Sequence, residues 1–342
     1  MAIIGSVIIV IVLLIALLAY LIAPDGSPNA NRQIVEIARK KMGSTQLFYL
    51  QKNNQIAEGN YLYKLLNGSN DTVTYIPIQS YAVKADSIVI QKYIDEDITQ
   101  AQAYALYNQP NVKNSVIKKT YYLGTDNFGR DILSRLLVGT RVSISVGIIA
   151  VLISLVIGIG LGAAAGYYKG NIDTVIMWLI NVIWSVPTML LVFALTIALG
   201  KGFWQVFIAV GLTMWVNIAR LVRGQVLKER EMQYVEAAAV MGYSNFRIIT
   251  KHILPNIAGP IIVMAASNFA SAIIIEAGLS FLGIGVQAPK PSWGLMVKEN
   301  YTFILTSNPM LALIPGIAIM VLVLAFYLLG NGLRDAMQVK QT

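Results

Sequence analysis

Two short stretches set charged side chains beside long apolar runs, at Asp126, Arg130, Asp131 and Arg135 and again from Glu229 to Lys251. What they could do is bounded by what is missing. The chain has no cysteine, which excludes disulfides, thiolate metal sites and cysteine nucleophiles. It has one histidine, His252, so neither a histidine metal cluster nor an acid-base constellation can be assembled. No Gly-x4-Gly-Lys-Ser/Thr occurs, so there is no phosphate-cradling loop. If ATP drives this protein, another polypeptide hydrolyses it, and the chain itself binds no cofactor. The chemistry left to these residues is contact: ion pairs, caps and docking surfaces.

The second stretch can be read locally. Glu229 to Met241 consists mostly of good helix formers, and Gly242 is a natural stop because it tolerates a left-handed position. Ser244 can cap a second short helix, which Pro255 ends or follows as the start of the next. In the first stretch, Thr125, Asp126 or Asn127 could each cap a helix, Asp131 and Arg135 can pair at i,i+4, and Ile132, Leu133, Leu136 and Leu137 form an apolar stripe. That predicts a surface helix lying on a bilayer.

Both stretches carry a family likeness. Glu236-Ala237-Ala238, three residues, Gly242, and then Leu254-Pro255 resembles the EAA loop of ABC import permeases. The ending His252-Ile253-Leu254-Pro255-Asn256 is similar to the dipeptide, oligopeptide and nickel permeases. Leu123-Gly124-Thr125-Asp126-x-x-Gly129-Arg130-Asp131 resembles the signature that precedes the second helix there. So do the outer loop, Glu276 through Pro291 and Trp293, and the tail Gly332 to Ala336. The resemblance covers about residues 123–337. It implies a type I importer permease with a related second permease, two cytoplasmic ATPases and an extracytoplasmic binding protein. The loop at 224–257 would be the coupling element that docks on an ATPase. Glu236 would make a polar contact, Ala237 and Ala238 would keep the helix thin, and Gly242 would permit the turn.

The elements that position these residues are membrane spans. Charged residues are 13% of the chain, about half the ~25% of a soluble domain. The net charge of +9 suits loops beside anionic lipid, not nucleic acid. Residues 3–23 form an apolar run long enough to cross ~30 Å of hydrocarbon, read as a retained span because no basic region precedes it and Pro24 follows. Further spans are expected near 142–165, 172–199, 203–222, 257–282 and 310–329. Gly158, Gly162 and Gly166 recur every fourth residue, which lets another helix approach closely. Pro187 should bend its span. Glu276 lies about 28 Å along its helix from Ile257, near the far interface, which favours snorkelling or a rim contact over a midplane site. Trp293 can anchor at an interface.

Residues 24–122 differ in kind, with ten of the seventeen tyrosines and no long apolar run. Short strands are expected at 61–66, 72–78 and 87–94 and a helix at 31–41, making a small α+β insertion. It could cap the outer face or dock a binding protein; the sequons at Asn67 and Asn70 read as chance.

Nine basic residues (Lys169, Arg220, Arg223, Lys228, Arg230, Arg247, Lys251, Arg334 and Lys340) lie on the side of the 224–257 loop, against Lys201, Lys290 and Lys298 opposite. That puts the loop and both termini in the cytoplasm and residues 24–122 outside. Arg130, Arg135 and Arg141 lie just outside the second span; ion pairing explains Arg135, and Arg130 and Arg141 count against this orientation. The expectation is therefore an all-α, six-span permease of the bacterial inner membrane, organised as a first helix (1–23), an outer insertion (24–122) and a transmembrane domain (123–342). An ATP-independent transporter or channel is the alternative, disfavoured because the spans are nearly free of charge and show no inverted repeat.

Overall fold

A computed structural model describes residues 1–52, 60–70, 72–84, 87–95, 98–105, 115–200, 202–305 and 308–338. Lys201 and Lys340 lie outside the described residues. The chain divides into two units, Met1–Leu13 with Ser143–Gln287 and Ile317–Thr342, and Leu14–Val142 with Ala288–Gly316.

Helix α1 spans Ala2–Ile22. The polar segment after it folds on an antiparallel sheet of β1 (Ser44–Lys52), β2 (Val73–Lys84), β3 (Ser87–Asp95), β4 (Ile98–Ala105) and β5 (Val116–Tyr121), in the order β4-β3-β2-β1-β5. Alternation sends neighbouring residues of β1 to opposite faces. Phe48 packs with Ile34, Ile37, Tyr93 and Tyr121, while Tyr49 packs with Ile78, Ile88 and Ile90.

Two expectations for this segment are corrected. Tyr61–Asn67 is helix α2, not a strand. Tyr-Leu-Tyr-Lys-Leu-Leu suits either state, but Asn60 precedes it in extended conformation and Gly68 ends it at φ +79°. Residues 31–41 hold only a 3-10 turn at Val35–Ile37, after another at Pro28–Ala30. Positive φ at Asn29, Ala30 and Arg39 breaks any longer helix.

The apolar helices follow: α3 (Ile132–Tyr168), α4 (Gly170–Trp184), α5 (Thr188–Leu199) and α6 (Phe203–Glu229). Next come α7 (Gln233–Val240), α8 (Asn245–Arg247), α9 (Leu254–Asn256), α10 (Ala258–Phe281), α11 (Trp293–Asn300) and α12 (Met310–Gln338). Among the described residues five helices are long and apolar enough to cross a membrane, or six if the broken pair α4–α5 counts as one span. That pair bends by 92° at Ser185–Pro187, where proline withholds a backbone donor and crowds the turn before it.

The residues after Asp131 are not a separate surface helix. They begin α3, whose 37 residues reach about 55 Å at ~1.5 Å per residue, well beyond a ~30 Å hydrocarbon layer. Gly158, Gly162 and Gly166 face α6. A Cβ on Gly158 would lie 2.7 Å from that of Ile218, one on Gly162 2.9 Å from that of Val222, and one on Gly166 2.8 Å from the carbonyl of Arg223. The two backbones pass too closely for any side chain.

Candidate functional site: a turn-linked helix pair, a buried ionic cluster and a cation between helices

The loop between α6 and α10 is built by two devices. Helix α7 ends in a Schellman turn: the Gly242 amide bonds Ala239 O at 3.0 Å and the Tyr243 amide bonds Ala238 O at 3.2 Å, with Gly242 at φ +78°. Ser244 Oγ then accepts the Arg247 amide at 3.4 Å and opens α8. Ile248–Ile253 winds as a wider π turn, with the Leu254 amide reaching back to Ile249 O. Pro255 lacks an amide for the carbonyl four residues back and crowds it, which suits the wider turn.

The side chains divide by face. Val235, Ala238, Ile248, Ile249 and Ile253 join Ile218, Val222 and Val226 of α6 in one buried cluster. Glu236, Ala237, Gly242 and Pro255 are exposed, and Leu254 is half-buried against that cluster. Val240, Met241 and Phe246 stand 88%, 63% and 76% exposed around the turn, an apolar surface that α7 and α8 leave uncovered.

The first charged stretch is a buried network. Asp126 accepts the amides of Phe128 and Arg130 on one oxygen and Arg130 Nε on the other at 2.6 Å. Arg130 and Arg135 both reach Glu299 Oε2, at 2.7 and 3.1 Å. Arg135 therefore pairs with Glu299 and, at 3.8 Å, with Asp126, not with Asp131 as spacing suggested.

Asp131 is the residue that caps α3, accepting the Ser134 amide at 3.0 Å, so none of Thr125, Asp126 and Asn127 does. Ser134 Oγ donates to Asp131 and accepts the Asp25 amide. Burial pushes the Asp131 carboxyl above the usual range, opposed by the bonds from Ser134. Arg141 donates to the carbonyls of Leu65 and Leu66 at the C-terminus of α2 and of Ala16 and Leu17 in α1. All three troublesome arginines are thus committed to local partners.

Trp293 is not an interfacial anchor. It is 4% exposed, donates from Nε1 to Leu136 O at 3.0 Å, and packs with the Pro291 carbonyl beside Gly139. Glu276 does not snorkel. It is 1% exposed and accepts from Ser280 Oγ at 2.7 Å, and that oxygen in turn accepts the Val286 amide, tying down the turn after α10.

Sequence reasoning overlooked Glu299, although three arginines on one side call for a nearby carboxylate. It also overlooked Asp173, which binds Arg223 bidentately at 2.5 and 2.7 Å. One turn from Arg223, Arg220 donates to a neutral amide, Asn181 Oδ1, at 3.1 Å and stacks on Trp184 at 3.5 Å.

Residues 158–339 match the family model of binding-protein-dependent transport system inner membrane components. The chain is 41% identical over 240 residues to a glutathione transport system permease protein of Pectobacterium atrosepticum, covering 70% of this chain and 78% of that one. It is 41% identical over 220 residues to a dipeptide permease of Bacillus subtilis, covering 64% and 69%. An oligopeptide permease of the same organism is 40% identical over 222 residues, covering 65% and 72%. With a model matching more than half its length and relatives of this similarity, the chain belongs to the family of binding-protein-dependent transport system inner membrane components, and is a transport subunit rather than a catalytic one.

Proposed function

We propose that this permease moves peptides or similar small solutes inward through the bacterial cytoplasmic membrane, as one of two related permeases working with two cytoplasmic ATPases and an extracytoplasmic binding protein. The peptide assignment follows the similar proteins, which are named for glutathione, dipeptide and oligopeptide transport. In this reading α4 and α5 form one broken span. The six spans have the type I importer arrangement, both termini are cytoplasmic, and residues 24–122 lie outside. The basic residues beside the 224–257 loop support that orientation, and Arg130, Arg135 and Arg141, bound to local partners, no longer oppose it.

The observation that carries the coupling role is the surface around Gly242. A helix pair seated on the α6 cluster by its inner face presents exposed Val240, Met241 and Phe246 with Glu236 beside them. Exposed apolar side chains grouped at a rigid turn fit a docking partner. An ATPase that shifts α7 would move α6 and α10 through Val235, Ala238 and Ile248, which lock the loop to Ile218, Val222 and Ile261. Glu236 and Ala237 meet the partner, Ala238 keeps α7 close to α6, and Leu254 and Pro255 join the loop to α10.

Gly242→Asp tests the reading. No atom lies within 4 Å of a Cβ placed there, so packing is spared, while the left-handed backbone is strained by about 1–2 kcal/mol and the docking face gains a charge. The variant is expected to reach the membrane at normal levels and lose uptake while ATP hydrolysis continues. Uptake at the wild-type rate would refute the coupling role.

A further inference from the structure

We propose that Arg220, stacked on Trp184, whose ring belongs to the wall of a cavity between α4–α5, α6 and α10, receives the terminal carboxylate of the transported solute. The proposal rests on the peptide-import reading and extends it to a contact site within the permease.

Arg220 belongs to α6, one of the apolar helices, close to its end beside the 224–257 loop, and is half-buried and always charged. The fold treats two neighbouring arginines differently. Arg223 has a full counter-ion in Asp173, bound through two parallel hydrogen bonds. Arg220 has an amide and an aromatic face, neither of which carries charge. Among the described residues no carboxylate lies within ion-pair reach of it. Its Nε is buried and, among the described residues, donates to no acceptor. Stacking on Trp184 holds the guanidinium plane in place while leaving its edge for a planar, two-oxygen acceptor.

The surroundings narrow the ligand further. A cavity of about 230 Å³ includes Trp184 in its wall and also Asn217, which lies one turn before Arg220 on the same face of α6. Thr188, Thr213 and Ser271 add neutral hydroxyls, and Leu191, Met214 and Ile275 supply apolar wall. Among the described residues no acid or base lines it. Neutral hydrogen-bonding groups in an apolar wall suit amide N–H and C=O groups with varied side chains, and a single cation stacked on one residue of that wall suits one terminal carboxylate. A metal ion would find no anionic ligand there.

The test uses the purified permease–ATPase complex without its binding protein, so that only the permease can discriminate. The probes are alanylalanine and its C-terminal amide, titrated by saturation-transfer NMR. The wild type is expected to bind the free acid about tenfold tighter, the scale of a hydrogen bond to a charged group. Arg220→Gln is expected to abolish the preference, and Arg220→Lys to keep part of it. Equal affinities in the wild type would overturn the proposal, as they would if a carboxylate of the second permease occupied the guanidinium. A preference that survives Arg220→Gln overturns it too. The wild-type comparison decides even if Arg220→Gln does not assemble. ATP-driven uptake of alanylalanine by vesicles supplied with the binding protein tests the parent reading separately. No uptake with the preference intact would remove peptide import and leave the carboxylate site, whereas uptake without the preference would remove the site alone.

Discussion

At the scale of single residues, the chain spends its buried charge on holding segments together. Asp126 and Glu299 neutralise Arg130 and Arg135, all in one network. Removing one partner of such a network strands the others away from water, at a cost of about 3–5 kcal/mol. Asp126→Ala is therefore expected to lower the amount of folded protein and the melting temperature sharply. Asp131→Asn should behave differently. Its carboxyl is pushed up by burial, so ionised Asp131 is the penalised form, and stability rises as pH falls through the raised value toward the ordinary ~3.9. The amide removes that charge while its oxygen still caps the Ser134 amide. Thermal unfolding of both variants in detergent at neutral pH should show Asp131→Asn costing under about 1 kcal/mol. A loss as large as that of Asp126→Ala would show that the ionised group is needed.

At the scale of elements, two positions on α3 separate close packing from mere helix composition. Gly162 lies where a Cβ would meet Val222 on α6, while nothing lies within 4 Å of a Cβ at Gly160. Gly162→Val must push α3 and α6 apart, an overpacking cost of about 1–3 kcal/mol. Gly160→Ala should be neutral or stabilising by about 0.5–1 kcal/mol, because alanine holds helical backbone better. Melting temperatures of the two variants, measured side by side, check this; equal losses would mean that the approach of the two helices is not what Gly162 serves. The turn at Gly242 is repeated after α10, where Gly283 at φ +83° lets the Ile284 amide reach Leu279 O at 2.9 Å. Helices α7 and α10 are thus stopped by the same backbone device.

At the scale of the whole molecule, the proposed orientation rests on the distribution of basic residues, with Arg130, Arg135 and Arg141 bound within the protein. The sequence contains no cysteine, so single cysteines can be labelled without background. Asn70 and Glu231 are both exposed. A membrane-impermeant maleimide added to intact cells is expected to label Asn70→Cys and to leave Glu231→Cys unlabelled until the membrane is opened. The reverse pattern would overturn the orientation and with it a cytoplasmic coupling loop.

By itself the sequence determined the features that depend on neighbours along the chain. Apolar length marked the spans, Pro187 the break and Gly242 with Ser244 the turn between two helices, because each rests on local backbone preference. The family motifs were legible for the same reason, being short and contiguous. Residues 31–41 and 61–66 were misread because their patterns allow more than one local state; neither joins the sheet, and the left-handed backbone at Arg39 and Gly68 ends the one segment and the other. Only the tertiary structure gave Arg130 and Arg135 their partner, since Glu299 lies more than 160 positions away. It alone buried Glu276 and Trp293, and it alone matched Arg223 with Asp173 while leaving Arg220 with an amide. Burial and charge pairing are set by which segments meet in space, and no spacing along the chain encodes that.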